Sequence, residues 1–474
     1  MNDPQPAQPV SRWLVLVAVC LGAFIAPLGM ASVNVALPTM AEELNASAVL
    51  VSWVPTVVLI ANIIFMLPAG KLADNLGRKR VFRWGIGLNT LASALAFFAP
   101  SIEVVLVLRF FQGTGAAMMF ATSMALLISV FPPERRGLPL GLNAACVYLG
   151  LTLAPALGGW VTDAFGWRFV FLMPLPLVVV VLTLIAWRVP GDWWGEKQTR
   201  FDWRGALNFG AWAIALVIGL TGLPGLWQSG VLALSFVLLY QFIRRQARRE
   251  QPLIRVQMFR ESRLFSFSLI TALFMYASSY PLGFLLSLYL QYVRGYSAAD
   301  AGQVLLVQAL TMACIAPLAG KLADYLPARW LASVGCFCTL CGYGLLSTLG
   351  AETPAGFIVA ALFLVGLGFG CFSSPNNHVV MQSAHASEVG VAAATLNLAR
   401  VVGNLIGMSL VNLFVYWNLG DRPMNETLSE PLLHTFGQAM ILALVFLSSA
   451  TLVSLLRGSS GHKKPGEEPG QVRG

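Results

Sequence analysis

The chain has 474 residues, of which 57% are hydrophobic and only 11% charged, with a formal net charge of +9. Soluble domains carry about a quarter charged residues, so this composition excludes an ordinary soluble enzyme and points to a polytopic membrane protein. A positive excess signals nucleic acid only when it gathers into a patch or tail; here its placement along the chain says otherwise.

About 20 apolar residues cross a bilayer as a helix, because every backbone polar group must be bonded internally. Fourteen spans meet that requirement. The first six lie at 13–37, 48–69, 81–100, 103–131, 138–160 and 167–187. Two more follow at 205–223 and 228–243, the second of them short and ending in arginines. The last six lie at 264–292, 299–319, 330–350, 355–379, 389–417 and 434–456. The first run follows a nearly uncharged start and reads as a retained helix rather than a cleaved leader, since later runs supply their own insertion signals. An even number of spans puts both termini on one side.

Lysine and arginine identify that side as cytoplasmic. Arg109 and Arg400 lie deep within spans, and Arg168, Arg294 and Arg422 on the outer side; the other basic residues collect on the inner side. The net charge is therefore a positive-inside signature, and no nucleic-acid partner is expected. The pentapeptide GKLAD occurs at Gly70–Asp74, between spans 2 and 3, and again at Gly320–Asp324, between spans 10 and 11. Both copies fall on the cytoplasmic side of a six-helix half, which is the mark of a parallel duplication. The resulting division is an N-terminal half (1–187), linkers with two extra helices (188–263), a C-terminal half (264–456) and a disordered cytoplasmic tail (457–474). The fold class is all-α, two pseudo-symmetric six-helix bundles plus two central helices.

Catalytic and cofactor signatures are missing. All seven cysteines sit in apolar stretches, so Cys336, Cys338 and Cys341 read as small packing residues rather than a metal or redox site. Lys71 and Lys321 follow glycines but lack the earlier glycine and the Ser/Thr of a phosphate-binding loop. No enzyme, metal or cofactor is expected.

"GKLADNLGRKR" resembles the signature loop of the major facilitator superfamily. That resemblance implies a gating role for Gly70, Asp74, Gly77 and Arg78. The glycines would permit a tight turn and close helix approach, and Asp74 would pair with Arg78 or meet a helix N-terminus of the other half. The second copy keeps Asp324 but has Pro327 and Ala328 in place of the later glycine and arginine. In span 4, Arg109, Gln112, Gly113 and Gly115 match the family's second motif; an arginine at that depth is costly unless it meets a partner or a wet cavity. In span 5, "GLTLAPALGG" resembles the exporter motif, with Gly150, Ala154 and Gly158 forming a smooth ridge, Pro155 allowing a bend, and Gly159 following. "VNVALP" at Val33–Pro38, containing Asn34, "FSSPNN" at Phe372–Asn377 and "WRFVF" are similar to the fourteen-helix drug/proton antiporters, the multidrug efflux subfamily associated with drug resistance.

One departure stands out. The family's span 1 aspartate is Gly29 here, and no acidic residue lies in the middle of any span. Proton coupling then has His378, or Asp74 with Arg109, as candidate carriers, and an uncoupled facilitator or exchanger stays open. A cationic substrate finds no buried carboxylate. Asn397, Arg400 and Asn404 share one face of span 13, and with Arg109 they favour neutral or anionic amphiphiles. Met118, Phe120, Tyr276, Tyr280, Asn376 and Asn377 are candidate walls of an adaptable pocket. The expected function is export of small amphipathic compounds, drug-like or metabolite, by alternating access and proton antiport. The expected place is the bacterial cell (inner) membrane, with the lipid bilayer and a small molecule as partners. A transporter-like sensor is the distant alternative.

Overall fold

The computed structural model describes residues 12–132, 137–188, 191–193, 202–221, 223, 225–249, 252–253, 256–323, 326–383, 389–420 and 429–457. Among them the chain is helical and connected by short turns. Span 1 comprises α1 (Arg12–Ala31) and α2 (Val33–Glu43), and α3 (Ala48–Leu76), α4 (Arg78–Phe97), α5 (Ile102–Val130) and α6 (Gly137–Phe165) follow. Span 6 is split into α7 (Arg168–Leu172) and α8 (Leu175–Arg188), with Pro174 in the break. The two extra helices are α9 (Trp203–Thr221) and α10 (Leu226–Gln246), and α10 is longer than its sequence suggested. After a short α11 (Gln257–Glu261), α12 (Arg263–Leu288) ends in a π-helical turn, Tyr289–Val293. The remaining helices are α13 (Ala298–Leu322), α14 (Ala328–Leu346), α15 (Ala355–Gln382), α16 (Val389–Asn418) and α17 (Ser429–Leu455).

Thirteen candidate spans among the described residues are long and apolar enough to cross a membrane. The fourteenth expected span, α4, is a helix of 20 residues whose first two turns carry Arg78, Lys79, Arg80 and Arg83. Its charge sets that end at the basic face of the bundle. α3 runs past the expected end at residue 69, so the first GKLAD is the last part of a helix and not a loop. The helix stops at Gly77, whose φ of 108° is open to glycine and strained for other residues.

Helix pairing repeats along the chain. α1 packs on α6 as α12 packs on α16, and α3 and α4 pack on α5 as α13 and α14 pack on α15. Small residues make these approaches close, as expected where lipid gives no hydrophobic drive between helices. A Cβ on Gly150 would come within 2.5 Å of the Phe24 carbonyl, and one on Gly407 would collide with that of Ala277. α6 also packs on α13 and α3 on α16, while α9 touches both α3 and α16. α9 thus leans against the seam formed by α3 and α16, and α10 packs on α9.

Asp202 ties their basic ends together. Its buried carboxylate accepts from Gly205 N (3.0 Å), Gln246 Nε2 (3.0 Å), Arg245 Nη2 (2.9 Å) and Arg249 Nη2 (3.1 Å). Burial pushes this carboxyl up, but Arg245 and the donated hydrogen bonds outweigh it, and the group sits below its usual range. Arg457, expected to begin a disordered tail, is instead only 2% exposed and sits by Cys336 beyond the end of α17. Residues 458–474 lie outside the described residues.

Candidate translocation site and gates

At the basic end, the signature motif is held within its own part of the chain. Arg78 donates through Nη1 to Ala125 O (3.1 Å) and Ser129 Oγ (2.6 Å) of α5. The first amides of α4 are capped by Asp192, which accepts from Lys79 N (2.8 Å) and Arg80 N (3.1 Å), while Arg78 N donates to Trp193 O (2.7 Å). Gly77 is needed here, because a Cβ would lie 2.5 Å from the Asp192 carboxyl carbon. Gly70 differs from expectation: it is helical, with open space where a Cβ would point, so neither a turn nor close packing requires it. The Asp74 side chain and Asp324 lie outside the described residues.

The opposite, outer end is where the first six spans meet the last six. Asp163 Oδ2 of α6 accepts from Ala299 N (2.8 Å) in the first turn of α13. Ser287 Oγ donates to Asn34 O (3.1 Å), Gln291 Nε2 to Val35 O (3.1 Å) and Tyr292 OH to Pro38 O (3.3 Å). Asn412 of α16 and Thr56 of α3 are hydrogen-bonded at 2.9 Å. Of the glycine pair in span 5, Gly158 faces Ser32, between α1 and α2, and Gly159 abuts the backbone of Ala298 in α13. Gly302 of α13 abuts Pro155 O in return. The exporter-motif helix is therefore packed on both sides, α1 on one and α13 on the other.

Between these ends lies a polar cluster around Arg400. Its Nη1 donates to Asn397 Oδ1 (3.3 Å) and its Nη2 to Asn377 Oδ1, and its guanidinium lies 5.3 Å from the Tyr276 ring centroid. Tyr276 lies near Tyr148 of α6 and meets Phe369 edge-on at 5.1 Å. Among the described residues the polar groups around this charge are neutral amides and phenols, and Asn404 Oδ1 is buried without a hydrogen-bond partner. Arg400, Asn397, Asn404, Asn377, Tyr276 and Tyr280 are all partly buried, as is His378, next to Asn377.

Other expected residues fall elsewhere. Arg109 is 1% exposed and staples α5 to its neighbours: Nε donates to Val54 O (3.3 Å), Nη1 to Gln112 Oε1 (3.0 Å) and Nη2 to Met30 O (3.4 Å). Gln112 in turn donates to Ser93 Oγ (2.8 Å). Arg109, expected beside Arg400 in a shared cavity, is thus corrected to a buried staple, with Tyr280 placing a phenol within electrostatic reach of it. Met118 packs toward Gly85 of α4, Phe120 against the apolar core of α1 and α5, and Asn376 is buried with its amide on Ser268 O (3.3 Å). Gly29 faces Pro174 at ordinary contact distance, and Gly113 and Gly115 serve close approaches to α3 and α4.

A family model described as Major Facilitator Superfamily matches residues 19–408. The chain belongs to this superfamily. It is 28% identical over 406 residues to the riboflavin transporter RibZ of Clostridioides difficile (strain 630), covering 85% of this chain and 88% of that one. It is 31% identical over 414 residues to the multidrug resistance protein Stp of Mycobacterium tuberculosis (strain CDC 1551 / Oshkosh), covering 85% and 75%. Among solved structures, a bacterial homolog of the human lysosomal transporter Spinster, inward-facing and unoccupied, matches with a TM-score of 0.69 at 16% identity over 96% and 98% of the chains. This facilitator is a multi-pass membrane transporter, not an enzyme. Tyr148, Ser287, Gln291, Tyr292 and Asp192 escaped the sequence reading. Each acts on a distant helix, and only Asp192, a cap-forming residue beside a glycine, carried a local signal.

Proposed function

We propose that this facilitator exports small amphipathic compounds, neutral or anionic, from the bacterial cytoplasm across the inner membrane by alternating access between its two six-helix halves (1–187 and 264–456). The observation that carries the reading is the distribution of polar links between α1–α8 and α12–α17. Among the described residues they run from the outer end to mid-membrane, where Thr152 Oγ1 donates to Ala309 O at 3.1 Å, while at the basic end Arg78 is bonded to α5 and the first amides of α4 to Asp192. This is the arrangement of a transporter closed to the outside. The resistance and riboflavin transporters among its relatives support small amphipathic cargo. Arg400, which among the described residues meets Asn377, Asn397 and Tyr276 and no carboxylate, offers such cargo a positive charge and aromatic faces.

Proton antiport is the coupling proposed, with His378 or Asp74 as carrier. Gly29 favours a second reading, an uncoupled facilitator or exchanger. The test is accumulation of matched anionic, neutral and cationic amphiphiles in a pump-deficient bacterium expressing the chain, with and without a protonophore. Export of anions and neutral compounds that stops with the gradient supports coupling. Export that ignores the protonophore selects the second reading, and preferential export of cations refutes the role given to Arg400.

A further inference from the structure

VNVALP has so far only a family resemblance, but its chemistry assigns it a task. Proline has no amide hydrogen, so Pro38 cannot donate to the carbonyl four residues back, that of Asn34. A buried carbonyl left in this way must find another donor. It finds Ser287 Oγ at 3.1 Å, and Ser287 belongs to α12 in the other half. Ser287 is fully buried and Asn34 is 8% exposed, so water does not compete for this acceptor in the closed arrangement.

The donor side is equally specific. α12 ends in the π-helical turn Tyr289–Val293, closed by Arg294 N on Tyr289 O at 3.1 Å. The wider turn rotates the residues that follow relative to an α-helix, and such turns recur at functional positions. Here the turn presents Gln291 and Tyr292 to α2. Gln291 Nε2 spans Val35 O (3.1 Å) and Ser287 Oγ (3.0 Å), tying two of the links together, and Tyr292 OH reaches Pro38 O (3.3 Å). Three side chains of one element thus dock on the carbonyl edge of one helix of the opposite half.

We infer that Ser287, Gln291 and Tyr292 are positioning residues that hold the outer gate shut, by docking on the carbonyl edge of α2 whose key acceptor Pro38 leaves open. The inference rests on the alternating-access reading above. When the gate opens, water enters and takes over the Asn34 carbonyl, so the link is broken without leaving a permanently orphaned group. The proline makes the contact reversible, because an acceptor without an internal donor is satisfied by the serine in one state and by water in the other.

The experiment measures the distance between spin labels on Phe98→Cys and Glu352→Cys. These residues are in exposed outer turns of opposite halves, and the seven native cysteines are replaced first. The parent chain is expected to give short and long populations. Ser287→Ala and Gln291→Ala should each raise the long-to-short ratio about fivefold, the equivalent of one net hydrogen bond. Tyr292→Phe, which keeps the ring and removes only the hydroxyl, should raise it less and guards against misfolding as the cause. In a Pro38→Ala background, where the restored backbone amide can serve the Asn34 carbonyl, Ser287→Ala should change the ratio less than about twofold. Two parent populations whose ratio is unmoved by all three substitutions overturn the clasp and leave alternating access standing. A single parent population under every substrate condition overturns both.

Discussion

Gly158 and Gly159 are neighbours in one motif, yet the same substitution at each is expected to do different things. A Cβ at Gly159 would collide with the carbonyl of Ala298 and lie 2.9 Å from its carbon and 3.0 Å from Ala299 Cα, all in the first turn of α13. A Cβ at Gly158 would lie 2.6 Å from Ser32 O and 2.8 Å from its Cβ, within the same half. Both contacts involve backbone that cannot swing aside, so each alanine costs about 1–3 kcal/mol of overpacking. On the alternating-access reading proposed above, the cost at Gly159 falls only on the outer-closed state, because α6 and α13 would separate as the outer gate opens. The ratio of open to closed molecules should then rise about 5- to 150-fold. At Gly158 the cost falls on both states, lowering stability and leaving the ratio nearly unchanged. The assay is the outer spin-label distance with the melting temperature of each variant in detergent. If Gly158→Ala and Gly159→Ala shift the ratio alike, α6 is not the divider between an intra-half and an inter-half seam, and the reasoning fails.

Asp202→Asn should lower the melting temperature at neutral pH, because it leaves Arg245 and Arg249 without their carboxylate; about 1–3 kcal/mol is expected, discounted because both arginines are a third exposed. The carboxyl titrates below its ordinary value, so this contribution is complete above about pH 4 and lost as pH falls further; a parent-minus-variant difference that fades near pH 6 would contradict it. Gly77→Ala should accelerate hydrogen exchange at the Lys79 and Arg80 amides by displacing their Asp192 cap, a loss of about 1 kcal/mol, and unchanged protection there would refute the cap. Arg109→Lys keeps the charge but cannot reproduce three donations from one planar fork, so stability and transport should both fall; full activity with an unchanged melting temperature would show that the staple is dispensable.

What the residues alone determined was the class of molecule and its repeated plan. Spans and duplication follow from one-dimensional quantities: run length against bilayer thickness and the return of GKLAD. The superfamily was legible because its signatures are local, and the ridge at Gly150, Ala154 and Gly158 was legible because spacing of four places residues on one helix face. The expectations that needed correcting all depended on a neighbour. Arg109 was read as facing a cavity, and it is buried against carbonyls of α1 and α3. Gly70 was read as a turn, and it lies inside a helix. Met118 and Asn376 were read as pocket walls, and they pack between helices. Which face of a membrane helix meets lipid, a partner helix or the opposite half is weakly encoded, because lipid tails and protein interiors are equally apolar and hydrophobic periodicity fades. Only the tertiary structure could decide that Arg400 meets Tyr276 and, through it, Tyr148, that Gly158 and Gly159 serve different seams, and that the carbonyl freed by Pro38 is answered by a serine from the far half of the chain.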